Sequence, residues 1–74
     1  MDFVVARGRQ VDAIECKIRP GRFDPKSLAV FRQSYPDGRN ILVSPGIAEP
    51  YEMRVGSQFR RVVFTRESED SADR

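Results

Sequence analysis

Asp2-Phe3-Val4-Val5-Ala6-Arg7-Gly8-Arg9-Gln10-Val11-Asp12-Ala13-Ile14-Glu15-Cys16-Lys17 decides how the rest of the chain is read. Residues 3–6 and 11–18 are rich in β-branched and apolar side chains, the composition of strands. Between them Arg7-Gly8-Arg9-Gln10 reads as a tight turn. Gly8 supplies the positive φ that a type II′ hairpin needs at its first central position. With Gly8-Arg9 at the tip, the opposed residues are Ala6/Val11, Val5/Asp12, Val4/Ala13, Phe3/Ile14 and Asp2/Glu15. Side chains alternate along a strand. One face therefore carries Asp2, Val4, Ala6, Val11, Ala13, Glu15 and Lys17. The other carries Phe3, Val5, Ile14, Cys16 and Ile18, with Asp12 an exception near the turn. Both faces are apolar in their middles, so the sheet is expected to be covered on both sides, as in α/β proteins.

Downstream, Arg19-Pro20-Gly21-Arg22 is a loop by its Pro-Gly pair. Asp24-Pro25 is a helix start, with Asp24 as N-cap and Pro25 in the first turn. The helix should run to about Tyr35. Leu28, Phe31, Arg32 and Tyr35 fall at i, i+3, i+4, i+7, and Leu28, Phe31 and Tyr35 are expected to form the buried stripe. Pro36-Asp37-Gly38 stops the helix. Asn40-Ile41-Leu42-Val43-Ser44 is a continuous apolar run, the pattern of an interior parallel strand. Strand, helix and strand make one βαβ unit. After the loop Pro45-Gly46-Ile47-Ala48-Glu49-Pro50, residues 51–55 and 59–64 read as a short C-terminal hairpin joined through Gly56-Ser57. The fold class is thus α/β: a β-hairpin followed by a helix and a parallel strand, then a further short hairpin.

The chain has 74 residues, 39% hydrophobic and 32% charged. That suits one small globular unit, expected over residues 1–66, and a chain of this size is marginally stable alone. Residues 67–74 contain one apolar side chain, Ala72, and read as a disordered acidic tail. No run approaches the roughly 20 apolar residues that span a bilayer. The first residues lack a basic leader and a long apolar core, so a cytoplasmic location is expected. Cys16 is the single cysteine, which excludes an intramolecular disulfide and reads as a small buried hydrophobe. Histidine is absent, which excludes imidazole-based triads and Cys/His zinc sites. Of 13 basic residues 11 are arginine. The planar guanidinium suits phosphate, so nucleic acid is one expected partner and a merely solvated surface is the other reading.

The chemistry follows from the hairpin. Directly opposed residues have Cβ atoms about 5 Å apart, and like charges there repel. A divalent cation between Asp2 and Glu15 would turn that repulsion into a binding site. All-oxygen ligands point to Mg²⁺ or Mn²⁺, with the Cys16 carbonyl as a further ligand. Lys17 lies two residues after Glu15 and faces the same side. It could orient or deprotonate an attacking water, or stabilise charge on a phosphate. Arg19, Arg22 and Lys26 follow and could touch a phosphate backbone. The bland alternative for Glu15 and Lys17 is a surface ion pair worth less than about 1 kcal/mol.

These residues meet a known pattern. Asp, then a hairpin, then Glu-x-Lys, then a helix and a parallel strand, resembles the PD-(D/E)xK nuclease superfamily. Asp2-Phe3-Val4-Val5, Ile14-Glu15-Cys16-Lys17, Pro25-Lys26-Ser27-Leu28, Tyr35-Pro36 and Ile41-Leu42-Val43-Ser44 together look like one branch of it. That branch is the uncharacterised domain at the C-terminus of many prokaryotic AAA-type ATPases. The resemblance covers roughly residues 2–46. It implies a restriction-endonuclease-like half core, with Asp2, Glu15 and Lys17 as catalytic residues and Mg²⁺ or Mn²⁺ as cofactor. It also implies a further helix and strand ahead of the aspartate strand, so the chain is expected to be the C-terminal part of a domain. Turnover alone is expected to be weak or absent. The alternative is a non-catalytic binding or assembly module of a larger ATPase. The open edge of the first strand leads to the expectation of a homodimer.

Overall fold

The computed structural model describes residues 3–66. They form β1 (Phe3–Arg7), β2 (Gln10–Cys16), α1 (Pro25–Ser34), β3 (Asn40–Val43), β4 (Tyr51–Val55) and β5 (Arg60–Thr65). The strands make one mixed sheet in the order β1-β2-β3-β5-β4. The expected Asp2/Glu15 pair and the acidic stretch 67–74 lie outside the described residues.

The first hairpin has the expected register, from Phe3↔Ile14 through Ala6↔Val11. Gly8 at its tip has φ +60°, the left-handed value that glycine tolerates best. From β2 the chain passes through a 3-10 turn, Pro20–Arg22, into α1. Asp24 caps that helix, its Oδ1 accepting from the Lys26 backbone N–H at 2.9 Å. β3 returns parallel to β2, with Ile14↔Ile41 and Glu15↔Leu42. β5 lies parallel on its far side, with Leu42↔Phe64, and β4 closes the sheet antiparallel to β5. The second hairpin is shifted by one residue from expectation. Phe59 sits in the turn at φ +51° rather than in the strand.

Register puts Ala13, Glu15, Leu42, Val62 and Phe64 on one face, since neighbours in a ladder share a side. Leu28 of α1 packs on that face with Ala13, Leu42, Ile47, Val62 and Phe64 to form the core. Phe64 is bracketed by aromatic rings: Tyr51 stacks on it with centroids 5.0 Å apart, and Phe23 meets it edge-on at 6.1 Å.

Three expectations need correction. The helix stripe is Leu28 and Arg32, both buried, with Phe31 partly buried against the core as expected, whereas Tyr35 is half exposed. α1 ends at Ser34, and Tyr35 leaves the helical conformation at φ −131°, ψ 82°, so the i+7 position is no longer on the stripe. Second, one α-helix covers one face. Among the described residues no second α-helix lies on the face of Phe3, Val5, Ile14, Cys16 and Ile41, although Ile14 and Ile41 at its centre are buried. Third, Cys16 is exposed rather than buried, standing at the end of β2 beyond the buried Ile14 on the same face. No helix among the described residues is long and apolar enough to cross a membrane.

Candidate functional site

β2, β3 and β5 run in one direction, so their carboxyl ends gather at one rim of the sheet. In open α/β sheets that rim is where ligands bind. Glu15 is the penultimate residue of β2 and points to the helix-covered face, 7% exposed between its strand neighbours. Lys17 follows the strand. Its backbone N–H still donates to the Val43 carbonyl at 3.0 Å, which fixes its position on the ladder. Its Nζ lies 4.0 Å from Glu15 Oε2, with the ammonium side chain 38% exposed and the carboxylate side chain 9% exposed. Alternation therefore delivers both charges to one side, as the sequence predicts.

Ser44 stiffens the rim. It is fully buried, its hydroxyl donates to the Ile18 carbonyl at 3.1 Å, and its Oγ accepts from the Gly46 N–H at 3.2 Å. The loop after β2 is thereby tied to the loop after β3. The 3-10 turn is closed by Arg22 N–H donating to the Arg19 carbonyl at 3.0 Å. Cys16, Lys17, Ile18, Arg19 and Arg22 line an open crevice of about 560 Å³. Three cationic residues thus line the crevice, and one of them, Lys17, also reaches the shielded Glu15 carboxylate. Lys26 does not join them. It lines a separate cavity of about 100 Å³ with Leu28, Val55, Ser57 and Arg60.

A second charged constellation lies at the opposite end of the sheet. Asp12 is 2% exposed and accepts from Arg39 three times: from the backbone N–H at 2.8 Å, from Nε at 3.1 Å and from Nη2 at 2.7 Å. Arg7 Nη2 adds an ion pair at 3.3 Å. Burial pushes the Asp12 carboxyl up. The Arg39 hydrogen bonds and the charges of Arg39 and Arg7 outweigh it and hold the group below the usual aspartate value. Arg32, 4% exposed, donates to the Asn40 side chain and to the carbonyls of Val11, Tyr35, Asp37 and Arg39, all at 2.8–3.1 Å. Burial lowers its pKa, and the charge of Asp12 opposes that.

Sequence reasoning missed this network. Its signal was two opposite charges, Asp12 and Arg32, each at a position where the pattern asks for an apolar residue. The arginines around it are committed: Arg39 to Asp12, Arg61 to Glu52 at 3.5 Å, Arg60 to Gln58 at 2.6 Å. The network is a structural lock, although Arg39, Arg60 and Arg61 also line a cleft of about 560 Å³.

The fold and the rim together define a small mixed α/β protein with a basic crevice at the carboxyl end of its parallel strands. No family model, no curated protein and no solved structure matches the chain. Among the described residues no group of three or more Cys, Asp and Glu side chains gathers as a metal centre. The donors present at the rim, the Glu15 carboxylate and the Cys16 carbonyl, are oxygens and fit a hard cation in kind. Asp2, the other expected ligand, lies outside the described residues.

Proposed function

We propose that the chain is a nuclease-like fragment of the PD-(D/E)xK type, whose rim binds a nucleic-acid phosphodiester. The observation that carries this reading is the shielded Glu15 carboxylate with Lys17 Nζ 4.0 Å away, Lys17 itself lining a crevice with Arg19 and Arg22. In this reading Glu15, Asp2 and the Cys16 carbonyl hold Mg²⁺ or Mn²⁺. The cation, when bound, supplies Lewis-acid polarisation of a phosphoryl oxygen and a more acidic water. Lys17 would orient an attacking water or stabilise charge on the phosphate. Arg19 and Arg22 position the phosphate backbone, as arginine forks do, and carry no sequence information. The resemblance adds the restriction-endonuclease-like half core. The meander-like β1-β2 hairpin followed by α1 and parallel β3 supports it. In this reading turnover by the chain alone is weak or absent.

The test is a Mg²⁺ and Mn²⁺ titration followed through the amides of residues 2, 15, 16 and 17. Localised shifts at millimolar metal are expected, and uniform silence at those positions sinks the metal site. Cleavage of a labelled oligonucleotide, with Lys17→Ala as control, then separates catalysis from binding.

The second reading is a non-catalytic binding or assembly module of a larger ATPase. It rests on β1, an edge strand with Phe3 and Val4 both more than half exposed, a surface suited to a covering segment. Salt-sensitive oligonucleotide binding, weakened by Arg19→Ala and Arg22→Ala without cleavage at any metal concentration, favours this module over the nuclease.

A further inference from the structure

Among the described residues β4 is the last strand of the sheet and pairs on one side only, with β5. Its sequence is Tyr51-Glu52-Met53-Arg54-Val55, and all of it but Val55 is exposed. Opposite charges stand at equal distances on either side of Met53. An antiparallel strand paired with its own image about Met53 therefore meets opposite charge at both flanking positions. Glu52 falls opposite the partner's Arg54, and Arg54 opposite the partner's Glu52. Tyr51 falls opposite the partner's Val55, and the two Met53 side chains meet on the axis.

Within one chain this edge is electrostatically incomplete. The β4–β5 register sets Arg54 directly across from Arg61, and like charges so opposed are unfavourable. Glu52 reaches Arg61 diagonally at 3.5 Å but stands two residues from Arg54 on its own strand. The partner's Glu52 would supply a carboxylate at the cross-strand position of Arg54. On the helix-covered side, Tyr51 is 43% and Met53 49% exposed, and both would be covered by the same step. Charged residues often blunt sheet edges, but they do so by repelling their own image. Here the image attracts. β1, the other edge, offers no such match: Phe3-Val4-Val5-Ala6-Arg7 paired about Val5 sets Arg7 opposite Phe3.

We propose that the β4 edge is a two-fold self-association surface, through which two copies of the chain join their sheets antiparallel about Met53. A two-fold contact of this kind is isologous, so each complementary pair occurs twice. The inference stands apart from the rim site and does not depend on it.

Sedimentation of the full chain from about 10 µM to about 1 mM tests it. The expected result is a monomer–dimer equilibrium that weakens with added salt. Glu52→Arg and Arg54→Glu each set like charges across the axis twice, and each should weaken the dimer by about tenfold or more. The double swap E52R/R54E restores opposition and should return the affinity to within about threefold of the parent. Both positions are exposed, and circular dichroism confirms that each variant folds. A monomer at every concentration overturns the proposal. So does a dimer that neither single reversal weakens, which would put the contact at β1 or on the sheet face away from α1, and so does a double swap no tighter than the two single variants.

Discussion

Arg32 directs its guanidinium at five acceptors drawn from residues 11, 35, 37, 39 and 40. Four are main-chain carbonyls, which have no apolar substitute. Replacing Arg32 by Met would remove this donor from all four; the Asp37 and Arg39 carbonyls keep the Val11 and Ala13 N–H, whereas those of Val11 and Tyr35 lose the guanidinium, at about 1–3 kcal/mol for each group not reached by water. A domain this small holds only a few kcal/mol in reserve. We expect Arg32→Met to be largely unfolded by circular dichroism, and Arg32→Lys, with three donors and no planar fork, to be folded but destabilised by about 2–3 kcal/mol in urea. Asp12 gives a pH dependence. Its folded pKa lies below the unfolded value of about 3.9, so its stabilisation is present above that value and is lost as pH falls through the folded pKa. Urea midpoints should therefore drop between about pH 5 and pH 3. Asp12→Asn, less stable at pH 7, should show a shallower drop over the same window.

At the scale of elements, two glycines separate turn preference from steric need. Gly8 has φ +60° with open space around it, whereas Gly38 has φ +139° and a Cβ there would lie 2.1 Å from the Val11 carbonyl oxygen. Gly8→Ala should cost about 1 kcal/mol, the ordinary left-handed penalty. Gly38→Ala forces backbone apart and should cost more than about 3 kcal/mol, read from thermal or urea unfolding of the two variants side by side. The contrast also shows what a sequence reveals. The Gly8 hairpin, the Asp24 cap and the apolar run of β3 are legible because each depends on residues a few positions apart. Glu15 and Lys17 share a side because strand alternation is local geometry. Arg32 is not legible, because its acceptors become neighbours only once β2, α1 and the turn before β3 have met. An arginine at i+4 of a helix stripe reads as a stem with its charge in water. Lys26 stands apart from Arg19 and Arg22 for a related reason. Proximity to Arg22 in sequence suggests a shared patch, but α1 starts between them and carries the lysine toward Val55 and Ser57.

Over the whole molecule, three parallel strands are held at both ends by different means. At the carboxyl rim Ser44 ties two loops with a hydroxyl, and the crevice there is open and cationic. At the amino end Asn40 joins the lock to the next strand, its Oδ1 accepting from Arg32 Nε and its Nδ2 donating to the Arg61 carbonyl at 2.8 Å. The amide protons of Val11 and Ala13 are also held there, by the carbonyls of Asp37 and Arg39 at 2.8 and 2.9 Å. Those two protons cannot reach solvent while Arg32 grips the same turn, whereas β1 can fray from the edge without disturbing it. Native-state hydrogen exchange should find the Val11 and Ala13 amides among the slowest, opening only with the whole domain, and β1 amides exchanging at lower free energy. In Arg32→Lys the order should invert, with the turn at residues 36–39 and the amides it holds exchanging first. One buried side chain would then set the cooperativity of the fold: with it, the sheet opens as a unit, and without it, piece by piece.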